Sequence, residues 1–510
     1  MKPHRAASAP AAVAEAAVLA AAGALQTLAF VHSAAWWLPL LALALLVWRL
    51  DRAPTARRAA ALGWCYGFAW LAAGTWWLFI SMHRYGHLPV WLAGAAVAAL
   101  SALLSLYLAL AAAAYRRWRR GGGADALLFA ALWLLAELAR AVLFTGFPWV
   151  ASGYAQVDGP LAVLAPWIGV YGIGALTAAL AAAAAATLDG SRRLRARTAP
   201  AVVAAALLLA CAAGGPGEHT RAGRTLSVEL LQPNVAQDVK FAAERMDATL
   251  AWVATRLLGS RADLVVAPET AVPLLPDDLE AMSPGYWARL QQRFGSGAQA
   301  ALVGVPLGDL QRGYTNSVAG LSAGAAYRYD KHHLVPFGEF IPTGFRWFTE
   351  MMRIPLGDFA RGAVAQPSFD VAGERAAPHI CYEDLFGEEL ARRFGDPVHA
   401  PTLLVNVSNI GWFGDTIAVD QHLGIARMRA LEFQFPIVRA TNTGATAAID
   451  HRGRVLARLP AFTEGVLQAQ VQARRGLTPY ARWASVAGHA PLLALALLAC
   501  AAFAWRRRSA

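Results

Sequence analysis

The stretch PHICYEDLFGEEL, residues 378–390, runs apolar up to a cysteine and then turns at once into an acidic helical start. Cys381 therefore stands where a strand gives way to a turn. That placement exposes a nucleophile and aims the following backbone N–H groups at an oxyanion. An isolated cysteine more often ends as buried filler, so this stretch alone leaves both readings open. Its neighbours repeat the pattern. TLSVELLQ (225–232), ADLVVAPE (262–269), AALVGVP (300–306), TLLVNVSN (402–409) and PIVRATN (436–442) are apolar, β-rich runs that end in polar residues. Helical patterns lie between several of them, over 241–258, 284–294, 386–394 and 418–434. Such alternation implies an α/β layered domain with its sheets inside. Functional groups of these sheets gather at strand ends, which singles out Glu269, Cys381 and Asn409.

Outside 225–475 the character changes. The 510 residues are 57% hydrophobic and 15% charged, against about 25% charged in soluble domains. Crossing a bilayer takes ~20 mostly apolar residues. Seven candidate spans precede the α/β region, over about 11–31, 34–49, 60–82, 88–115, 124–145, 159–189 and 198–214, and an eighth covers about 486–505. The implied domains are a seven-span part over 1–214, an α/β part over 215–485, and a final helix with its tail over 486–510. Arginines cluster in alternate connections: Arg49, Arg52, Arg57 and Arg58, then Arg116, Arg117, Arg119 and Arg120, then 192–197, then 506–508. Because basic loops stay inside, both termini are expected in the cytoplasm and 215–485 outside it. The net charge of +12 thereby has a topological origin. Without a basic stripe carrying interleaved aromatics, nucleic acid is not an expected partner. Glu137 and Arg140 are three apart within a span and share a helix face, either as a structural pair or as a functional one.

Two further segments join Cys381. In APETAVP (267–273), Glu269 follows an apolar strand and precedes a turn. Partial desolvation there suits it to general-base work, the plainer alternative being a helix cap or surface acid. In YDKHHLVPFGEFIP (329–342), Lys331 is one of three lysines among 45 basic side chains, the others being Lys2 and Lys240. A compact ammonium suits an oxyanion or thiolate better than a guanidinium fork does, although a salt bridge to Asp330 is an alternative. Ionising the Cys381 thiol at neutral pH would then fall to Lys331. His332 and His333 point apart on a strand and lack a third ligand at suitable spacing, so no metal is expected. Cys65, Cys211 and Cys500 lie in apolar runs, which leaves Cys381 without a disulfide partner in its own domain.

Glu, Lys and Cys, in this order on successive strand ends, resemble the nitrilase superfamily, whose Glu–Lys–Cys triad sits on an αββα sandwich. Many membrane spans, an external nitrilase-like domain and one terminal span are together similar to the apolipoprotein N-acyltransferase family. FTGFPWVASGYAQVDGPLAVLAPWIGVYG (144–172) resembles that family's link between two membrane helices. VNVSNIGWFGDTIAVDQHLGIARMRALEFQFPIVRATNTGATAAID (405–450) resembles its C-terminal signature, with Trp412 in GWFGD and the ARMRALE helix as specific features. The resemblance covers essentially the whole chain. It implies a multi-span α-helical membrane domain plus an α/β nitrilase-like αββα sandwich domain. It also implies a catalytic triad of Glu269, Lys331 and Cys381, supported by Glu339 and Glu383. Tyr382 and Trp412 match residues near the family's acyl pocket or mobile loops. The implied reaction is ping-pong, with no cofactor. A phospholipid, usually phosphatidylethanolamine, gives its sn-1 acyl chain to Cys381 as a thioester. The α-amino group of a diacylglyceryl-modified N-terminal cysteine on a lipoprotein then takes it. A monomer in the bacterial inner membrane, with a periplasmic catalytic domain, is the corresponding expectation.

Departures from the family pattern fall in loop regions. Phe241, in LQPNVAQDVKF (230–241), stands where tryptophan is expected, and Ile410 and Gly411 stand where Asp-Ala is common. They bear on substrate positioning more than on the triad. An apolar arm around 344–365 carries Phe345, Trp347, Phe348, Met351 and Met352. It is expected either to dip toward the membrane as a mobile lid or to pack as a core helix. Two rival readings remain. A membrane-tethered amidase would use the same triad with water as acceptor. A transporter with an external sensing domain is disfavoured by the few charges within the spans and by the lack of a visible inverted repeat.

Overall fold

The computed structural model describes residues 9–188, 194–240, 242–342, 344, 358–396 and 398–508. The chain divides into two compact units, one built from Met1–Phe79, Val90–Gly217 and His489–Ala510, the other from Ile80–Pro89 and Glu218–Gly488.

The first unit is helical. Helices Ala9–Leu25, Leu38–Arg52, Ala56–Thr75, Val90–Trp118, Asp125–Val142, Ala165–Ala186, Leu194–Ala213 and Ala490–Arg508 fall on the eight apolar runs of the sequence. Among the described residues five stretches are long and apolar enough to cross a membrane, Pro10–Phe30, Ser33–Arg52, Val90–Trp118, Asp125–Thr145 and Pro160–Ala186, and the bent pair Pro479–Ala487 and Ala490–Trp505 together passes as a sixth. The first five are fewer than the seven expected ahead of the α/β part. Helix Ala56–Thr75 opens on Arg57 and Arg58 and interleaves Gly63, Tyr66 and Gly67, which dilutes its apolar character. Helix Leu194–Ala213 opens on Leu194, Arg195, Ala196 and Arg197 and carries Pro200, so its apolar part is the shorter stretch Thr198–Ala213. The last helix begins at Ala490 rather than 486, after Gly488 at φ +53°. Glu137 and Arg140 form the structural pair. Their side chains meet at 3.5 Å, Arg140 donates to the carbonyls of Phe147 (2.9 Å) and Trp149 (2.6 Å), and Glu137 accepts from Ser152 N (2.7 Å) and Oγ (2.9 Å). The pair thus braces the connection 147–152, and its hydrogen bonds offset the cost of burying two charges.

The second unit holds twelve strands in two sheets. The first sheet contains β1 (Thr220–Gln232), β2 (Leu264–Ala267), β3 (Ala300–Asp309), β4 (Gly313–Leu321), β5 (Tyr327–Asp330) and β12 (Gly465–Gly476), in the order β12-β1-β2-β3-β4-β5. The second contains β6 (Phe369–Val371), β7 (Glu374–Ile380), β8 (Leu403–Ser408), β9 (Ile437–Thr441), β10 (Ala447–Ile449) and β11 (Val455–Arg458), in the order β11-β10-β9-β8-β7-β6. Pairing is parallel through β1, β2 and β3 and through β7, β8 and β9. Two antiparallel steps bring β5 back to the direction of β3.

Period-2 alternation decides what each strand buries. Leu264 and Val266 of β2 point into the core between the sheets, where they meet Ile380, Val405, Val407 and Val438. Val265 and Ala267 point the other way, onto a helical layer. There, helix Ala243–Gly259 presents Met246, Leu250, Val253 and Leu257, one stripe at helical spacing, and helix Tyr286–Gly295 adds Leu290 and Phe294. Each such side chain contributes about 1.5–3 kcal/mol on full burial. A strand buried on both faces reads as the unbroken apolar run seen at 262–267. On the second sheet, helix Ala418–Phe433 packs against β9. The apolar arm's Phe345, Trp347, Phe348, Met351 and Met352 lie outside the described residues, as does Phe241.

Candidate active site

Parallel strands deliver their polar terminal residues to one edge. Glu269 comes two residues after β2, Lys331 directly after β5, Cys381 directly after β7 and Asn409 directly after β8. The turns are tight. Cys381 sits at φ +52° and Thr270 at φ +48°, a region that costs a non-glycine residue about 1–3 kcal/mol. Space for the Glu269 turn comes from Gly304 on β3. A Cβ at Gly304 would lie 2.2 Å from the Pro268 carbonyl oxygen and 2.8 Å from Glu269 Cα.

The side chains converge. Lys331, 1% exposed, donates from Nζ to Glu339 Oε1 at 2.7 Å and to Glu269 Oε1 at 3.4 Å. Asn316 Nδ2, on β4, bridges the same two carboxylates at 2.7 and 2.8 Å. The backbone N–H of Asn409 donates to the other Glu269 oxygen at 2.7 Å. Burial works against the Lys331 ammonium, but Glu339 and Glu269 outweigh it and hold the charge on above the ordinary lysine range. Cys381 keeps partial exposure. Burial nevertheless pushes its thiol up to about 12, with Glu269 adding to the push against the pull of Lys331 and a hydrogen bond to Ser408. Lys331 thus pulls toward the thiolate, the direction expected from sequence, while burial and the carboxylates pull the other way.

Further contacts fix the backbone around Cys381. Glu383 accepts from the N–H groups of Ile380 (2.6 Å), His332 (2.7 Å) and His333 (3.2 Å) and from the Tyr329 hydroxyl (2.8 Å), so it stitches the Lys331 segment to the end of β7. Behind it, Asp384 takes His379 Nε2 and Arg439 Nη1 at 2.5 Å each. Arg439 Nη2 donates to His422 Nδ1 at 3.1 Å. That leaves the His422 Nε2–H to donate to the Cys381 carbonyl at 3.2 Å. Burial first, then Arg439, pushes His422 down to about 3, which keeps it neutral in this role. Tyr382 is buried, edge-on to Phe386 at 5.2 Å and 5.7 Å from the His333 ring. Trp412 stands partly exposed on the short 3-10 turn Ile410–Phe413, edge-on to Tyr85 at 5.5 Å. Arg84, beside Tyr85, reaches Asp238 at 3.1 Å. The adjacent histidines do point apart: His332 Nδ1 meets the Gly362 carbonyl at 2.8 Å, and His333 Nδ1 meets Glu389 at 3.0 Å.

All residues named from sequence for this site lie in the second unit, and Glu269, Lys331 and Glu339 are brought into direct contact. Asn316, Ser408 and Lys240 were not singled out. Asn316 lies in the middle of β4, where no strand-end rule applies. Ser408 is the last residue of β8, one position before the Asn409 that was noticed. Lys240 shared the rarity that drew attention to Lys331.

The second unit, with its two six-stranded sheets, has the fold of the carbon-nitrogen hydrolases, whose family model matches residues 227–480. Residues 22–183 match the apolipoprotein N-acyltransferase N-terminal domain. An apolipoprotein N-acyltransferase of Verminephrobacter eiseniae is 54% identical over 474 residues, covering 88% of either chain. That of Ralstonia nicotianae is 48% identical over 499 residues, covering 96% of this chain and 92% of its own. A crystal structure of a carbon-nitrogen hydrolase from Helicobacter pylori overlays with a TM-score of 0.36 at 16% identity, over 48% of this chain and 89% of that one. The chain belongs to the apolipoprotein N-acyltransferase family, and its apolar helices make it a multi-pass membrane protein.

Proposed function

We propose that this protein moves an acyl chain from a phospholipid to the N-terminal α-amino group of a diacylglyceryl-cysteine lipoprotein, through a thioester on Cys381. The observation that carries the proposal is the buried Glu269–Lys331–Glu339 cluster next to a thiol on a strained strand end. In the first half-reaction, Glu269 takes the thiol proton as Sγ attacks the sn-1 ester carbonyl. The carbon–oxygen ester bond then breaks, and Glu269 returns the proton to the leaving lysophospholipid alkoxide. In the second, the lipoprotein amine attacks the thioester, an amide forms, and the amine's proton passes through Glu269 back to sulfur. Each tetrahedral oxyanion is met by the N–H of Tyr382 and by Lys331. An ammonium has three donors, and the two carboxylates take only two of those on Lys331. A thioester is energetic enough to acylate an amine, where the parent ester exchanges slowly.

The remaining assignments belong to the same proposal. Phosphatidylethanolamine is the donor and the protein acts as a monomer. Glu339 and Glu383 hold the triad, while Tyr382 and Trp412 border the path of the acyl chain. Its place is the bacterial inner membrane, with the second unit in the periplasm and both termini in the cytoplasm, as the arginine clusters support.

Intact mass of the full-length protein, before and after incubation with phosphatidylethanolamine, tests this directly. The expected result is a gain of one acyl chain that is absent in Cys381→Ala and discharged by a diacylated lipopeptide. Absence of both adduct and lysophospholipid on folded protein, with ammonia released from small amides instead, would return the hydrolase reading.

A further inference from the structure

Lys240 is 3% exposed and lies in the segment between β1 and helix Ala243–Gly259. Its ammonium donates to two neutral oxygens, the Glu269 carbonyl at 3.1 Å and the Thr270 hydroxyl at 2.5 Å. Those are the residues of the strained turn that carries the Glu269 carboxylate, with Thr270 at φ +48°. The same segment is tied to the opposite side of that carboxylate's hydrogen-bond set, because Gln237 Oε1 accepts from the Asn409 side chain at 2.8 Å. A buried ammonium that bonds only neutral oxygens is costly. A methionine would fill the same space without that cost, so the charge itself calls for a reason.

Charge balance supplies one. Glu269 and Glu339 face a single directly paired cation, Lys331. Both carboxylates oppose ionisation of the Cys381 thiol. The charged and titratable groups bearing on the Lys240 ammonium are Glu269 and Cys381, with Lys331 and Glu339 gathered around the same Glu269 carboxylate. A second ammonium brings the cluster to neutrality before sulfur becomes an anion.

We propose that Lys240 is a positioning residue for acyl transfer: it clamps the Glu269–Thr270 turn and supplies the second buried positive charge that offsets the developing thiolate. This rests on the reading of Glu269, Lys331 and Cys381 as the triad. Burial pushes the Lys240 ammonium down to about 8, with Glu269 and Cys381 opposing. Its charge is therefore present below about pH 8 and lost above it. That supplies a readout which a mere fastener would not produce.

The test uses the full-length protein in lipid nanodiscs. It measures the rate at which iodoacetamide labels Cys381, read on the peptide that contains it, between pH 6 and pH 10. Wild type, Lys240→Met and Lys240→Arg are compared. Wild type is expected to label about tenfold faster than Lys240→Met at pH 6–7, with the gap closing above pH 9, where the amine is neutral. Lys240→Arg, which does not titrate, keeps the advantage throughout. A gap that is constant with pH and not rescued by arginine, or no gap at all, overturns the inference. If Lys240→Met melts before assay, Lys240→Gln stands in with the same two outcomes. The acyl-adduct assay on Cys381→Ala separates the two levels. No adduct there with a flat Lys240 result removes only the role of Lys240. An adduct that survives there removes the triad and this inference with it.

Discussion

Two residues show how much of this site is held from behind. Glu383 gathers three backbone N–H groups and a tyrosine hydroxyl on one carboxylate. A glutamine there keeps the shape but turns an amide NH₂ toward donors. The expected outcome for Glu383→Gln is a loss of about 2–3 kcal/mol, or about a hundredfold in the rate of acyl-adduct formation measured by intact mass. Lys240 makes the opposite trade. Its folded-state pKa is depressed from 10.5 to about 8, so the folded state binds fewer protons than the unfolded chain between those values. Stability therefore rises as pH climbs from about 8 toward 10.5, and below 8 the buried charge carries its full cost, on the order of 3 kcal/mol. Lys240→Met should accordingly raise the midpoint of thermal inactivation at pH 7 while slowing acylation. A midpoint that falls would show that the clamp outweighs the desolvation. Glu269 and Cys381 stood out because each ends an apolar run in a polar residue, and Lys331 because lysine is rare in this chain. Asn316 did not, because its role depends on the pairing of β3 with β4 and β5, and register across strands leaves no mark on a single segment.

Elements rather than residues determine where the Glu269 turn can sit. β3 passes so close to it that position 304 has no room for a methyl group. Gly304→Ala should leave the sheets assembled, since alanine suits a strand at least as well as glycine. The same change should displace Glu269 and lower the acylation rate at least about tenfold, a 1 Å shift being enough for such a loss. Circular dichroism and the mass assay on one sample would separate the two effects. The second sheet is pinned differently, through Asp384 at the junction of β7 (His379), β9 (Arg439) and helix Ala418–Phe433 (His422). Burial opposes the Asp384 charge, yet the two histidines and Arg439 hold its carboxyl well below the usual carboxylate range. Its stabilising contribution is therefore complete above the ordinary value near ~3.9 and is lost only as pH falls through the lower folded one. Arg439→Met leaves that carboxylate short of a partner and should cost about 3–5 kcal/mol at pH 7, seen as a lower inactivation midpoint. At this scale the sequence was read well where strands are apolar on both faces, as in β2 and β8. It was read poorly at the sheet margins. The edge strands β5, β11 and β12 carry arginine, and β12 also glutamine and glycine, so many of their side chains are exposed and the apolar run breaks up.

At the scale of the whole chain, each of the eight apolar runs became a helix. The helix on the 60–82 run starts at Ala56 and takes in Arg57 and Arg58, and among the described residues length plus average composition separate five stretches, or six with the bent pair Pro479–Ala487 and Ala490–Trp505, from weaker helices. The two units were otherwise visible as a change in composition near residue 215. What composition could not show is that ten residues from far upstream, Ile80–Pro89, belong to the α/β unit. Tyr85 lies edge-on to Trp412 and Arg84 reaches Asp238. A fragment covering only 218–488 should therefore show faster cleavage around 409–417 in limited proteolysis than the full chain. Adding a peptide of sequence 80–89 should slow that cleavage, and an unchanged pattern would mean the contact contributes nothing to loop order. Inheritance is affected as well. A catalytic unit written in two separated stretches of gene cannot be exchanged between relatives by one crossover near residue 215 without meeting a foreign partner for Trp412 and Asp238. Substitutions at 84 and 85 are thus expected to change in step with those at 238 and 412 as lineages diverge.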